Sequence, residues 1–444
     1  MRKGVLFLIF MEISLLATAQ TSATHSGHPM SASAQEPMSG MPDMNMGTHE
    51  APQDPFIALI QSHSVSGTDV QTTSTPSDML MIMKGKWHLM LHGEAFLNVL
   101  QQSGSRGGDK FFSTNWLMGM AQRRIGNGTF TFKTMLSLEP ATVSGREYPL
   151  LFQQGETAFG KPIVDGQHPH DFFMELAAMY DYKIGDHALV SFYAAPMGDP
   201  ALGPVAYPHR TSSSENSLAP LGHHLEDATH IAADVLTMGF AFRNVRIEAS
   251  GFHGREPDEG RWNINSGKID SWSTRITVNP SKNWSAQYSI GDLHSPESLA
   301  PDEDVRRMTA SITYNLPIKR GNWNSMLLWG RNENIGGGNV GNGYLLESTL
   351  RFHERNFAWT RVENVDRTTE LLLGNDPEPP GFEEHFFARV QAYTAGFDRE
   401  IGNLKHVSTA LGGQVTWYGV ADVLKPIYGD HPVGVNLLLR MRLR

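Results

Sequence analysis

From Lys84 to the end of the chain, apolar and polar residues alternate in short runs broken by turn-forming residues. The last run is the plainest. Val433, Val435, Leu437, Leu439, Met441 and Leu443 share one face, while Gly434, Asn436, Leu438, Arg440, Arg442 and Arg444 share the other. A β-strand sends successive side chains to opposite faces. This segment therefore has a greasy side and a side carrying three arginines, which suits a wall between lipid and water. The same pattern sets Trp87, Leu89, Leu91, Gly93, Ala95, Leu97 and Val99 against His88, Met90, His92, Glu94, Phe96 and Asn98. It also sets Met308, Ala310, Ile312, Tyr314 and Leu316 against Arg307, Thr309, Ser311 and Thr313.

Sixteen strands are predicted, at approximately 84–99, 113–125, 128–138, 171–184, 187–196, 230–243, 245–254, 271–279, 284–292, 304–316, 323–332, 343–353, 357–366, 384–397, 406–419 and 432–444. Tight turns follow even-numbered strands, as at Gly126-Asn127, Gly185-Asp186 and Asn244, and long connections follow odd-numbered ones, as at 139–170 and 197–229. Short turns at one end and long loops at the other imply an up-and-down membrane barrel with both termini in the periplasm. An even count closes the sheet without an edge. The expected fold is therefore an all-β, antiparallel transmembrane β-barrel over residues 77–444. A soluble sandwich or propeller is the competing fold, and the absence of a blade-length repeat weighs against the latter. Trp87, Trp272, Trp284, Trp323, Trp329, Trp359 and Trp417 are candidate interface aromatics. Glu94, Glu175, Glu248, Arg275, Arg307, Glu347 and Arg351 are predicted to face a wet interior of mixed charge.

Composition changes this picture only at the N-terminus. Arg2 and Lys3, the apolar Val5–Leu16 and the small residues Ala17-Thr18-Ala19 read as a secretory signal over residues 1–19, which implies export to the outer membrane after cleavage. Residues 20–76 form a low-complexity arm rich in Ser, Thr, Pro, Met and His, with one apolar patch at Phe56–Ile60, expected to be disordered and periplasmic. The chain has no cysteine, so no disulfide contributes. A net charge of −10 argues against a nucleic-acid partner and leaves outer-membrane lipid as the expected surroundings.

Two constellations carry candidate chemistry. The arm holds His25, His28, Met30, Met38, Met41, Met44, Met46 and His49. Thioethers with imidazoles favour copper, Cu(I) above all. The ordinary alternative is compositional drift in a linker. The second constellation spans two consecutive long loops: His168, His170 and Asp171, then His209, then His223, His224, Glu226, Asp227 and His230. One helical turn would put His223 and Asp227 on one face. Imidazole with carboxylate would suit zinc or copper, making His168, His170, His223, His224, Asp227 and His230 candidate ligands. Plain loop-pinning hydrogen bonds, or a constriction folded inward, are the alternatives. Ser212–Ser214 lie near His209 and Asp227, but there is no G-x-S-x-G elbow and no Ser/His pair on the lipid side, so an enzyme is not expected.

The segments Pro162–Asp171 (PIVDGQHPHD), Ala219–His224 (APLGHH) and Phe252–Asp258 (FHGREPD) resemble an uncharacterised family of bacterial outer-membrane β-barrel proteins. The resemblance implies the fold and no activity. The Met/His-rich arm separately resembles the N-terminal part of copper-resistance protein B, which implies copper handling. Where such barrels usually finish on an aromatic, this chain finishes Leu443-Arg444. The expected function is a porin-like channel linked to copper or metal tolerance or efflux, working with a periplasmic metal-handling partner. The alternative is a non-transporting barrel that binds metal or a partner through its His-rich extracellular loops.

Overall fold

Alternation along the chain becomes a closed wall in the computed structural model, which describes residues 54–444. Its strands are β1 (Leu80–Lys84), β2 (Trp87–Gln102), β3 (Asp109–Ile125), β4 (Gly128–Leu136), β5 (Tyr148–Ala158), β6 (Lys161–Gln167), β7 (Phe173–Ile184), β8 (Ala188–Gly198), β9 (Ala232–Phe242), β10 (Val245–His253), β11 (Ser271–Ser281), β12 (Trp284–Leu293), β13 (Val305–Ile318), β14 (Gly321–Asn334), β15 (Val340–Phe352), β16 (Asn356–Thr368), β17 (Phe386–Leu404), β18 (Val407–Val420) and β19 (Val433–Leu443). Sixteen of these pair antiparallel in chain order and close on themselves. The seam joins β19 to β2, from Gly434 opposite Gln102 to Arg442 opposite Glu94. β1 pairs with the first residues of β2, Trp87–Leu91, below the stretch that β19 covers. The hairpin β5–β6 stands apart from the wall.

Each predicted strand coincides with a barrel strand to within a few residues, except that β17 runs on to Leu404, well past the predicted end at 397, and the alternation has the expected sense. On β19, Leu437 is 59% exposed on the outer face while its neighbour Leu438 is 1% exposed inside. Leu236, Met238, Phe240 and Phe242 make the same apolar outer stripe on β9. Trp272, Trp284, Trp323 and Trp417 are exposed as an interface role requires. Trp359 is not: it is buried in the lumen, where its Nε1 donates to Gln414 Oε1 at 3.1 Å.

The interior is filled by three segments. The first is N-terminal. Residues 54–76, which composition groups with the arm, are ordered inside the barrel. Asp54 caps α1 (Pro55–Ser62) by accepting from Phe56 N at 3.0 Å, with Pro55 at the first turn, where its missing N–H costs nothing. The apolar patch Phe56, Ile57 and Ile60 then packs on Leu189 and Ala241 of the wall. Beyond the helix, His63 meets Asp181 at 2.6 Å, Lys133 Nζ donates to the carbonyls of Val65 (2.6 Å) and Gly67 (2.8 Å), and Asp69 pairs with Arg275. A polar chain stays ordered here because inward-facing strand residues supply partners that no local sequence contains. The arm residues before 54 lie outside the described residues.

The second segment is the connection 199–231. It turns back into the bore instead of lying outside. Arg210 bridges Asp227 and Glu347, each at 2.8 Å, and Glu215 pairs with Arg440 at 2.6 Å. Ser217 donates to Asn98 Oδ1 at 2.6 Å. The third is the β5–β6 hairpin, seated by Tyr148 stacked on Phe112 (4.6 Å between ring centres) and by Phe152 against Tyr418 and Tyr428.

Candidate metal centre in the lumen

The inward turn of 199–231 decides where the histidines go. The sequence leaves open whether these loops stay outside or fold inward; His168, His170, His209, His223, His224 and His230 are all buried within the barrel. His168 and His170 follow β6 directly. His223 and His224 open the single helical turn α2 (His223–Glu226), which lies against β14 and β15. The expected i,i+4 pairing forms on this turn: His223 Nδ1 lies 2.7 Å from Asp227 Oδ1.

His168, His223 and His224 can each offer a ring nitrogen, and these atoms lie within 4.8 Å of one another. Their other contacts set the donors. His168 Nδ1 is 3.0 Å from the Pro169 carbonyl, leaving Nε2 turned to Glu156 Oε1 at 2.8 Å. Two lone-pair atoms facing each other call for a proton or a cation between them. His223 spends Nδ1 on Asp227, which leaves Nε2 to offer. His224 has no partner at either ring nitrogen, although Arg307 and Asn332 fix its carbonyl at 2.8 and 3.0 Å. His230 holds the Asp227 carbonyl through Nδ1 at 2.7 Å, leaves Nε2 unpartnered, and sits 5.3 Å from the His223 ring. An imidazole oriented through one nitrogen, with the other free, is the arrangement found around bound metals.

Two expected ligands arrive with every side-chain atom already engaged. His170 is held by Glu139 at 3.0 Å and Tyr207 Oη at 3.2 Å. Asp227 is held by His223 on one oxygen and by Arg210 and Tyr207 N, at 2.8 and 2.9 Å, on the other. Both support the cluster; neither is a free donor. His25, His28, Met38, Met41, Met44, Met46 and His49 lie outside the described residues.

Glu156 and Glu256, which no reading of spacing selects, form a second group with His224. Glu256 lies in the FHGREPD segment, the one hint the sequence offers. The backbone makes room for the cluster. Gly155 has φ +110°, and a Cβ there would strike the His224 ring. Glu156 itself takes φ +65°, a conformation that costs a non-glycine residue of order 1–2 kcal/mol.

The electrostatics favour neutral rings. Burial lowers the His223 pKa against the pull of Asp227. Burial, then the neighbouring His223, holds His224 well below the usual range, and burial with His223 and His170 takes His230 to about 3. Neutral imidazole is the form that binds metal. Burial would raise Glu156, but Arg261 and His168 outweigh it and hold the carboxyl well below its ordinary value. Glu226 is the opposite case: burial, then Asp227, pushes it far up, and both its oxygens lack partners.

A closed sixteen-stranded antiparallel barrel with an apolar outer belt has a porin-like fold. An anion-selective porin from Comamonas acidovorans aligns with a TM-score of 0.51 at 11% identity, over 80% of this chain and 100% of that one. A loop-deletion mutant of OmpT from Vibrio cholerae (TM-score 0.47, 7% identity, 80% and 99% covered) and Salmonella typhi OmpF in complex with daunomycin (0.47, 10%, 81% and 100%) align less closely. At such identities the likeness concerns the fold alone. No protein-family model and no curated protein matches the sequence.

Proposed function

We propose that this protein is a porin-like outer-membrane barrel that holds one divalent transition-metal ion, zinc or copper(II), inside a closed lumen, as part of bacterial metal handling. The carrying observation is the convergence of His168, His223 and His224, buried, with His224 unpartnered at both nitrogens. Three converging imidazoles, with the Glu156 carboxylate beside His168 and His224, make a donor set that zinc and copper(II) accept. Four ligands at 2.0–2.1 Å stand about 3.4 Å apart, so the rings need to draw together by about an ångström. The Met/His-rich arm, through Met38, Met41, Met44 and Met46, would capture copper on the periplasmic side ahead of this site.

The test is titration of metal-stripped full chain in detergent with Zn(II) and with Cu(II). One saturable equivalent is expected, lost in His168→Ala/His224→Ala and kept when the arm methionines become leucine. Equal uptake by the double variant would defeat the assignment. The competing reading, an open solute channel, is judged by planar-bilayer conductance. Arg210, Glu215 and Asp69 tie the interior segments to the wall, so no steady porin-sized conductance is expected from the full chain.

A further inference from the structure

Methionine clusters in the lumen as well as in the arm. Met90, Met118, Met120, Met135, Met174 and Met197 are buried together on the inner face, where most neighbouring wall positions are polar. Strand register explains the grouping. His92 of β2 lies opposite Met118 of β3, and Met118 lies opposite Met135 of β4. The three inward side chains thus form one level row across adjacent strands, spaced by about 4.8 Å. His209, carried in on the 199–231 segment, completes the row from the lumen side. Its Nε2 lies 2.9 Å from Met135 Sδ, and His92 Nε2 lies 3.0 Å from Met118 Sδ.

We propose that His92, Met118, Met135 and His209 form a second metal site, specific for a soft monovalent ion, copper(I). Two thioethers and two imidazoles are the donor set that this ion prefers and that hard cations reject. The His209 Nδ1 is buried and has no partner, so the ring is free to present either nitrogen. The Trp116 ring packs against both histidines, at 5.1 Å and near-perpendicular to His92 and at 4.3 Å and tilted to His209, and shields them on one side. A cavity of about 530 Å³, bordered by Met79, Met81, Met90, His92, Trp116 and His209, leads up to the row. Packing accounts for methionines in a core, and N–H···S hydrogen bonding for the two imidazole nitrogens on sulfur; neither gives the buried His209 Nδ1 a partner. The site shares no residue with the histidine cluster, so the two assignments stand or fall separately.

The experiment uses the full chain in detergent with Met30, Met38, Met41, Met44 and Met46 changed to leucine, so that the arm supplies no thioether. Copper(I) is titrated anaerobically against bathocuproine disulfonate, and copper-edge X-ray absorption reports the ligands. One tight equivalent with sulfur scattering is expected. Met118→Leu/Met135→Leu conserves side-chain volume and should lose the sulfur signal and weaken binding at least tenfold, with the barrel's heat-modifiable gel mobility unchanged. His168→Ala/His224→Ala should leave copper(I) uptake intact. No copper(I) uptake by the arm variant, or unchanged sulfur scattering after the double Met→Leu change, would overturn the proposal.

Discussion

Asp227 shows how much one carboxylate organises. It orients His223, receives Arg210 and caps the Tyr207 amide, so its loss disturbs the ligand ring without removing a ligand. Groups in this role typically matter 10–100-fold in metal affinity. Asp227→Asn should therefore weaken zinc binding by about that factor while retaining one equivalent, measured by competition with a chromophoric chelator. The neutral rings make a second prediction. The folded-state pKa of His230 lies below its unfolded value of about 6.5, so the unfolded chain takes up protons first as pH falls. The contribution to stability is thus complete above about 6.5 and declines on acidification toward about 3. The urea midpoint in detergent should drop between pH 7.5 and 5, and drop less in His230→Gln.

At the scale of elements, strands were readable and their contents were not. Period-two alternation reports which face a residue takes, and the sixteen strands emerge from it directly. Trp359 misled because an aromatic near a strand end fits either face, and only its inward phase, shared with Arg361 and Glu363, settles the matter. The segments 54–76 and 199–231 carry no periodicity. Their partners, such as Arg275 for Asp69 and Arg440 for Glu215, lie far along the chain. The histidine motif revealed ligand types and the His223–Asp227 spacing; it could not reveal burial, nor the contributions of Glu156 and Glu256. The pairing of Asp69 with Arg275 can be tested alone. Removing one partner of a buried pair costs about 3–5 kcal/mol, and Arg275→Met strands Asp69, while Glu248 keeps Arg246. Hydrogen exchange over residues 63–76 should quicken sharply in that variant while the β17–β18 hairpin keeps its protection.

For the whole molecule, two solvents define the fold. Lipid takes the outer stripe, and the inner face is neutralised by ion pairs to its own chain rather than by water alone. An arginine on the lipid face at mid-depth costs about 2–4 kcal/mol, whereas Arg440 inside is paired with Glu215 and Asp398. Leu437→Arg should therefore reduce the fraction of heat-modifiable, folded barrel, while Leu438→Asn, one residue away and facing inward, should reduce it much less.

The seam between β2 and β19 joins two strands that lie far apart along the chain. The ring cannot be completed until β19 reaches β2. Up to that moment the cylinder is an open trough, and both donor sets line a surface that any dissolved ion can reach. If the two sites bind metal as proposed, they fill before the trough shuts, and the mature barrel keeps what its nascent form collected.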